Sequence, residues 1–127
     1  MIALTPQSKV YVAVAPVDFR NGILGLKTIC REILKRNPES GTLFIFHNKK
    51  KTSIKILVYD GQGFWLMMKR LSKGKFPWWP KSTSKGTDID YKKLQLIINV
   101  ANDGDFSDDW KRLYWDAMNI GLSRSLL

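Results

Sequence analysis

One cysteine, one histidine and no long apolar run set the first limits on this chain. A lone Cys30 excludes an internal disulfide and a thiolate metal cage. No stretch approaches the roughly 18 apolar residues of a membrane helix. The start MIALTPQSK lacks the charged lead and apolar core of a signal peptide, so a soluble cytoplasmic protein is expected. Acidic side chains are also scarce: residues 1–87 hold 4 Asp or Glu against 16 Lys or Arg. A metal-dependent nuclease needs two or three carboxylates converging on divalent ions, and here only Asp18, Glu32, Glu39 and Asp60 are on offer. Asp18 and Asp60 meeting in space, with His47 as a base, would be the route to such chemistry. His47 in its apolar strand reads instead as a structural histidine, and we expect a protein that is not an enzyme and has no metal or cofactor.

What the chain does have is positive charge and aromatic rings. With 44% hydrophobic and 12% aromatic residues, 127 residues suffice for one domain with a sizeable core. Formal net charge is +10, unevenly placed: residues 88–127 carry 5 basic against 7 acidic side chains. A basic body that meets an anion is expected, with a mildly acidic tail that shields the body or touches another protein. Nucleic acid is the commonest such anion, and a merely well-solvated cationic surface is the plain alternative.

Along the chain, VYVAVA at 10–15 reads as a strand ended by Pro16. After Asp18, the spacing of Ile23, Leu26, Ile29, Cys30, Ile33 and Leu34 predicts an amphipathic helix, with Lys27, Arg31, Lys35 and Arg36 on its other face and Asn37-Pro38 as its stop. Extended segments at 42–48, 53–60 and 64–70 follow, joined by a lysine-rich turn and by Gly61-Gln62-Gly63, a pattern of antiparallel hairpins. A fifth strand is expected at Lys75–Trp79, confined to a sheet edge by Pro77. KSTSKGT at 81–87 reads as a linker, and helices are expected near Tyr91–Val100 and Ser107–Met118. The predicted fold class is α+β. Residues 1–80 form a basic core, a mostly antiparallel sheet of four or five strands with one packed helix, and residues 81–127 form a linker and helical tail.

A three-residue loop at 61–63 would pair Asp60 with Phe64, Leu57 with Met67 and Lys55 with Lys69, whereas a two-residue loop would exchange these partners. In the first register Leu43, Ile45, Ile56, Val58, Leu66 and Met68 line an aliphatic face suited to the helix. Phe44, Phe46, Leu57, Tyr59, Trp65 and Met67 line the other. Opposed lysines repel by about 0.2–1 kcal/mol, which an intervening anion would relieve. The aromatic face is then a ligand surface, or else a second core beneath the tail.

The run YDGQGFWLMMKRLSKGKFPWWP at 59–80 interleaves rings with cations, as a binder of polyanions with stackable bases requires. Candidate phosphate contacts are Lys49, Lys50 and Lys51 at a hairpin tip, then Lys55, Lys69, Arg70, Lys73 and Lys75. Trp65, Trp78 and Trp79 either stack on bases or pack in the core, and core packing is the better reading for Phe76. Arg20 either clamps a phosphate or pairs with Asp18. Gly61-Gln62-Gly63 lacks the following helix of a phosphate cradle and reads as a tight turn, with Asp60 as its acceptor.

Three blocks carry a resemblance: Val17-Asp18-Phe19-Arg20-Asn21-Gly22 with Leu26; Gly41-Thr42-Leu43-Phe44-Ile45-Phe46 with Lys49 to Lys51 and Lys55-Ile56-Leu57; and Tyr59 to Phe64 with Lys69-Arg70-Leu71, Gly74-Lys75-Phe76 and Trp78-Trp79-Pro80. In order and spacing these resemble the Orf2, or TnpB-type, accessory protein of the insertion sequence sixty-six group of bacterial transposable elements. That small protein is distinct from the RNA-guided nuclease sharing the TnpB label. The resemblance implies an accessory factor encoded beside a separate transposase and helping it act on element DNA. The ending WKRLYWDAMNIGLSRSLL looks like an extension beyond the family pattern. The expected partners are therefore DNA, the transposase of the same element and a second copy of the chain. The competing function is a protein-interaction module that contacts the transposase or itself without binding DNA.

Overall fold

The computed structural model describes residues 8–76 and 79–99. They form β1 (Val10–Ala13), α1 (Ile23–Glu32), β2 (Leu43–His47), β3 (Ser53–Tyr59), β4 (Phe64–Arg70), β5 (Gly86–Ile89) and α2 (Tyr91–Asn99). The strands make one sheet in the order β4-β3-β2-β1-β5. β1 and β2 run parallel, because α1 carries the chain back between them, and the other neighbours are antiparallel. The fold is α+β with a mixed sheet.

Both faces of the sheet are covered, which is why β1, β2 and most of β3 are buried without alternation. Leu26, Cys30 and Leu34 of α1 and its C-terminal extension pack with Tyr11, Ala13, Phe44, Phe46 and Leu57. On the opposite face Leu94 and Ile97 of α2 join Val10, Val12, Leu43, Ile45, Ile54, Ile56 and Val58, together with Phe76 and Trp79. The sorting of β2 and β3 residues into two faces follows the sequence expectation, but the helix does not. α1 sits on the aromatic face, and the aliphatic face takes α2, the first helix of the predicted tail. Among the described residues the core therefore has two packed helices rather than the one expected.

The β3–β4 register also differs from the expected one. Asp60 accepts the amides of Gln62 (2.9 Å) and Gly63 (3.0 Å) on one carboxylate oxygen and donates its own N–H to the Gly63 carbonyl. Gly61 supplies the left-handed φ of 98°. The loop thus takes four residues, Tyr59 pairs with Phe64, and every β4 side chain moves to the other face relative to β3. Leu66 and Met68 now share the α1 face with Leu57, and Lys55 faces Met68 instead of Lys69.

Two boundaries shift as well. α1 ends at Glu32, short of Asn37-Pro38: Leu34 and Arg36 donate to the Ile29 and Cys30 carbonyls while Lys35 turns left-handed (φ 56°). The fifth strand is Gly86–Ile89, inside and beyond the expected linker, and 75–76 are not strand. Gly86 is required there, since a Cβ would lie 2.3 Å from the Tyr11 ring. The helix expected at Ser107–Met118, and Trp78, lie outside the described residues.

Candidate nucleic-acid interface

Strand directions bring several connections to one end of the sheet: those that leave β1, β2 and β4 and those that enter β3 and β5. At the β2–β3 turn, the Asn48 side chain accepts the Thr52 and Ser53 amides, and Lys51 adopts φ 59°. Lys49, Lys50 and Lys51 are exposed at the tip of this frame. The chain leaving β4 is tied alongside: Leu71 N–H bonds the Thr52 carbonyl and Phe76 N–H the Lys51 carbonyl, both at 2.9 Å. Arg70, Lys73 and Lys75, all exposed, therefore stand beside the triple-lysine turn.

Two further exposed lysines belong to the same end. Val14 N–H bonds the Lys85 carbonyl, which fixes the 81–85 stretch there, and Lys81 precedes it. Sequence reading missed both by treating them as linker. Their signal was the pair of lysines just before an alternating, short GTDI segment.

Arg20 lies in the β1–α1 connection at this end and pairs with Asp18 (2.6 Å), which also accepts the Arg20 backbone amide. The Arg20 guanidinium hydrogen bond holds the Asp18 carboxyl down at about 2, and the same bond raises the Arg20 value. Asp18 balances the Arg20 charge, but the pair faces solvent, with the Arg20 side chain 92% exposed.

Lys55 is placed differently. It is 9% exposed, and its ammonium donates to the carbonyls of Phe19 and Asn21 at 2.8 Å each while lying over the Phe19 ring. It fixes the loop that presents Arg20 and does not itself face solvent. Lys69, on the α2 face, donates to the Ile98 carbonyl, and burial lowers its pKa.

Neither described tryptophan offers an exposed ring beside the lysines. Trp65 is 45% exposed but near the far end of β4, where its indole N–H bonds Asp60 (2.8 Å). From there to Arg70 is roughly 17 Å of strand. Trp79 is buried, donating to the Ala13 carbonyl and resting 4.3 Å from the His47 ring. Phe76 is buried too. The lysine end thus offers ammonium and guanidinium groups, suited to phosphate oxygens, without described exposed rings for bases.

The far end is mixed in sign. Arg31 pairs with Glu39 (3.7 Å), Arg36 with Asp88 (3.9 Å), and Asp60 occupies its own turn. Backbone bonds from Gln62, the Trp65 indole and the Gly63 amide lower Asp60 to about 2. Asp18 and Asp60 consequently sit at opposite ends, and no group of three or more His, Cys, Asp or Glu able to hold a metal occurs among the described residues. Both ring nitrogens of His47 lie against carbonyls, of Asn48 and Val14. Burial pushes the Cys30 thiol up to about 12, far from a nucleophile's value. Among the described residues no helix is long and apolar enough to cross a membrane.

Comparison with known proteins gives a family. The model described as IS66 Orf2 like protein matches residues 8–103. The chain is similar to the uncharacterized protein y4hO of Sinorhizobium fredii, 39% identical over 91 residues, covering 72% of this chain and 78% of the relative. It is also similar to y4jC of the same organism, likewise uncharacterized, 36% identical over 76 residues, 60% of this chain and 65% of the relative. No solved structure matches.

Proposed function

This chain belongs to the IS66 Orf2-like family of transposition accessory proteins, and from that premise we propose that it is a non-catalytic nucleic-acid holder. It lays the lysine end of its sheet along the phosphates of element DNA and so assists a separate transposase. The observation that carries this reading is the convergence of the β2–β3 turn, the β4 exit and the β5 entry, whose exposed cations face only one nearby described acid, Asp18. Cations held on different connections by backbone bonds keep a fixed spacing, as docking on a regular polyanion requires. The ammonium and guanidinium groups presented there suit phosphate oxygens, and phosphate contact carries the affinity.

The test is binding to element-end duplex, unrelated duplex and single-stranded DNA across a salt series. For duplex, log K falls with log salt by about 0.9 per neutralised phosphate. A steep slope that flattens when Lys49, Lys50 and Lys51 are changed to Ala supports the reading; absence of binding at low salt sinks it. A second reading, docking on the transposase, draws on the exposed Trp65, Met67 and Met68 of β4. Co-purification with the transposase that fails after Met68→Lys supports that reading.

A further inference from the structure

β4 is an edge strand of seven residues, and among the described residues nothing pairs with its outer side. Natural edges are usually blunted by shortness, charge or proline. β5, the other edge, has four residues and carries Asp88. By contrast, Phe64 to Met68 contains no charge and no proline, and Trp65, Met67 and Met68 are 45%, 37% and 59% exposed. Such an edge calls for a partner strand.

The backbone says which residues are open to one. Gly63 and Leu71 bond inward, to Asp60 and Thr52. Antiparallel alternation then turns the backbone of Trp65, Met67 and Lys69 toward β3 and leaves the N–H and C=O groups of Phe64, Leu66, Met68 and Arg70 pointing outward.

We propose that these groups pair with β4 of a second copy, antiparallel, about a two-fold axis through Met67. The strand is complementary to itself in that register. Leu66 meets Met68 of the other copy, and Phe64 meets its Arg70, ring against guanidinium. Trp65 meets Lys69, whose ammonium is held by Ile98, so its aliphatic stem lies on the indole. Met67 meets its own counterpart in a position without hydrogen bonds, where side chains come closest.

Centring the axis on Leu66 or Met68 shortens the overlap and carries Arg70 or Phe64 past the end of the opposing strand. An axis between residues would set an inward backbone against an outward one. The antiparallel arrangement also keeps the two lysine ends at opposite extremities, so copies of net charge +10 meet without their basic clusters facing. At each end of the seam the ionised Asp60 turn comes opposite the loop of Lys73 and Lys75.

Sedimentation of the full chain in 0.3–0.5 M salt, about the range that screens exposed charges, is expected to give twice the 14.6 kDa chain mass. Met67→Lys, which opposes two ammonium groups at the axis, is expected to give the single mass with unchanged circular dichroism. Mild oxidation of Met67→Cys should link two chains, faster than Leu66→Cys or Met68→Cys, since the natural thiol is buried. A single-chain mass for the parent at tens of micromolar (roughly the upper working range for specific dimers) overturns the proposal. So does a dimer that survives Met67→Lys, or faster linkage at position 66 or 68.

Discussion

The two ends of the sheet are built from the same kinds of residue and behave as opposites. At the far end Glu39 and Asp88 reach arginines, Asp60 closes a turn and Asp90 accepts the Lys93 amide at the start of α2, while Glu32 lies exposed at the end of α1. At the lysine end Asp18 is the one described acid, and the surrounding ammonium groups on three connections go unmatched. Paired surface charges contribute little to stability and little to long-range attraction. An unbalanced cluster instead creates a local positive potential that draws polyanions. The lesson is that total charge matters less here than which connections the topology brings together.

The sharpest way to break the contrast is to empty one end at a time. Changing Lys49, Lys50 and Lys51 to Ala should weaken duplex binding on the order of 10²-fold at about 0.1 M salt and flatten the salt slope by about 2.7. Changing Lys35 and Arg36 to Ala at the far end should leave both nearly untouched. Equal losses from the two variants, read by fluorescence anisotropy, would mean that the whole surface acts as one.

Next in size is Lys55→Met, which keeps the stem and removes the ammonium from the Phe19 and Asn21 carbonyls. Charge-assisted hydrogen bonds of this kind contribute about 1.5–3 kcal/mol, and urea unfolding should show a loss of that order. Because the Arg20 loop depends on the same contacts, binding should fall modestly while the salt slope stays near the parent's. A slope reduced by a full unit would instead assign Lys55 a phosphate of its own.

The smallest effects come from the two depressed carboxylates. Asp18 and Asp60 each titrate near 2 in the folded chain, below their value of 3.8 when unperturbed. The stability each contributes is present above about 3.8 and fades as pH falls toward 2. Asp18→Asn and Asp60→Asn should each flatten the acid limb of the stability profile. Only Asp18→Asn should also tighten DNA binding, by a few-fold, through release of Arg20. Matching affinity changes in both variants would contradict the division between the ends.

Much of this arrangement was legible in residue order. The β-branched run at 10–15, the three- and four-residue spacing after Asp18 and the short gaps between extended segments locate β1, α1 and β2 to β4 well. Two faces that are both apolar gave no sign of which helix covers which, because periodicity reports that a face is buried and not by what. The loop at Asp60 is one residue longer than the glycine pattern predicts, since a carboxylate that bonds two amides lengthens a turn without altering that pattern. β5 is short, polar and at an edge, so its strand character comes from pairing with β1 rather than from its own side chains. Lys55, expected among the exposed cations, is buried, as its neighbours Ile54, Ile56 and Leu57 in an apolar strand already signal.

The position of β5 also constrains the order in which the chain can be completed. β1 precedes the other described strands, yet the strand on its outer side arrives only with Gly86–Ile89, and Val12 must find Thr87 across the intervening sequence. Ala13 and Val14 likewise receive Trp79 and Lys85 late. During synthesis β1 therefore keeps one apolar margin bare until β5 has followed it out of the ribosome, and a nascent chain stalled between the two should be prone to associate through that margin.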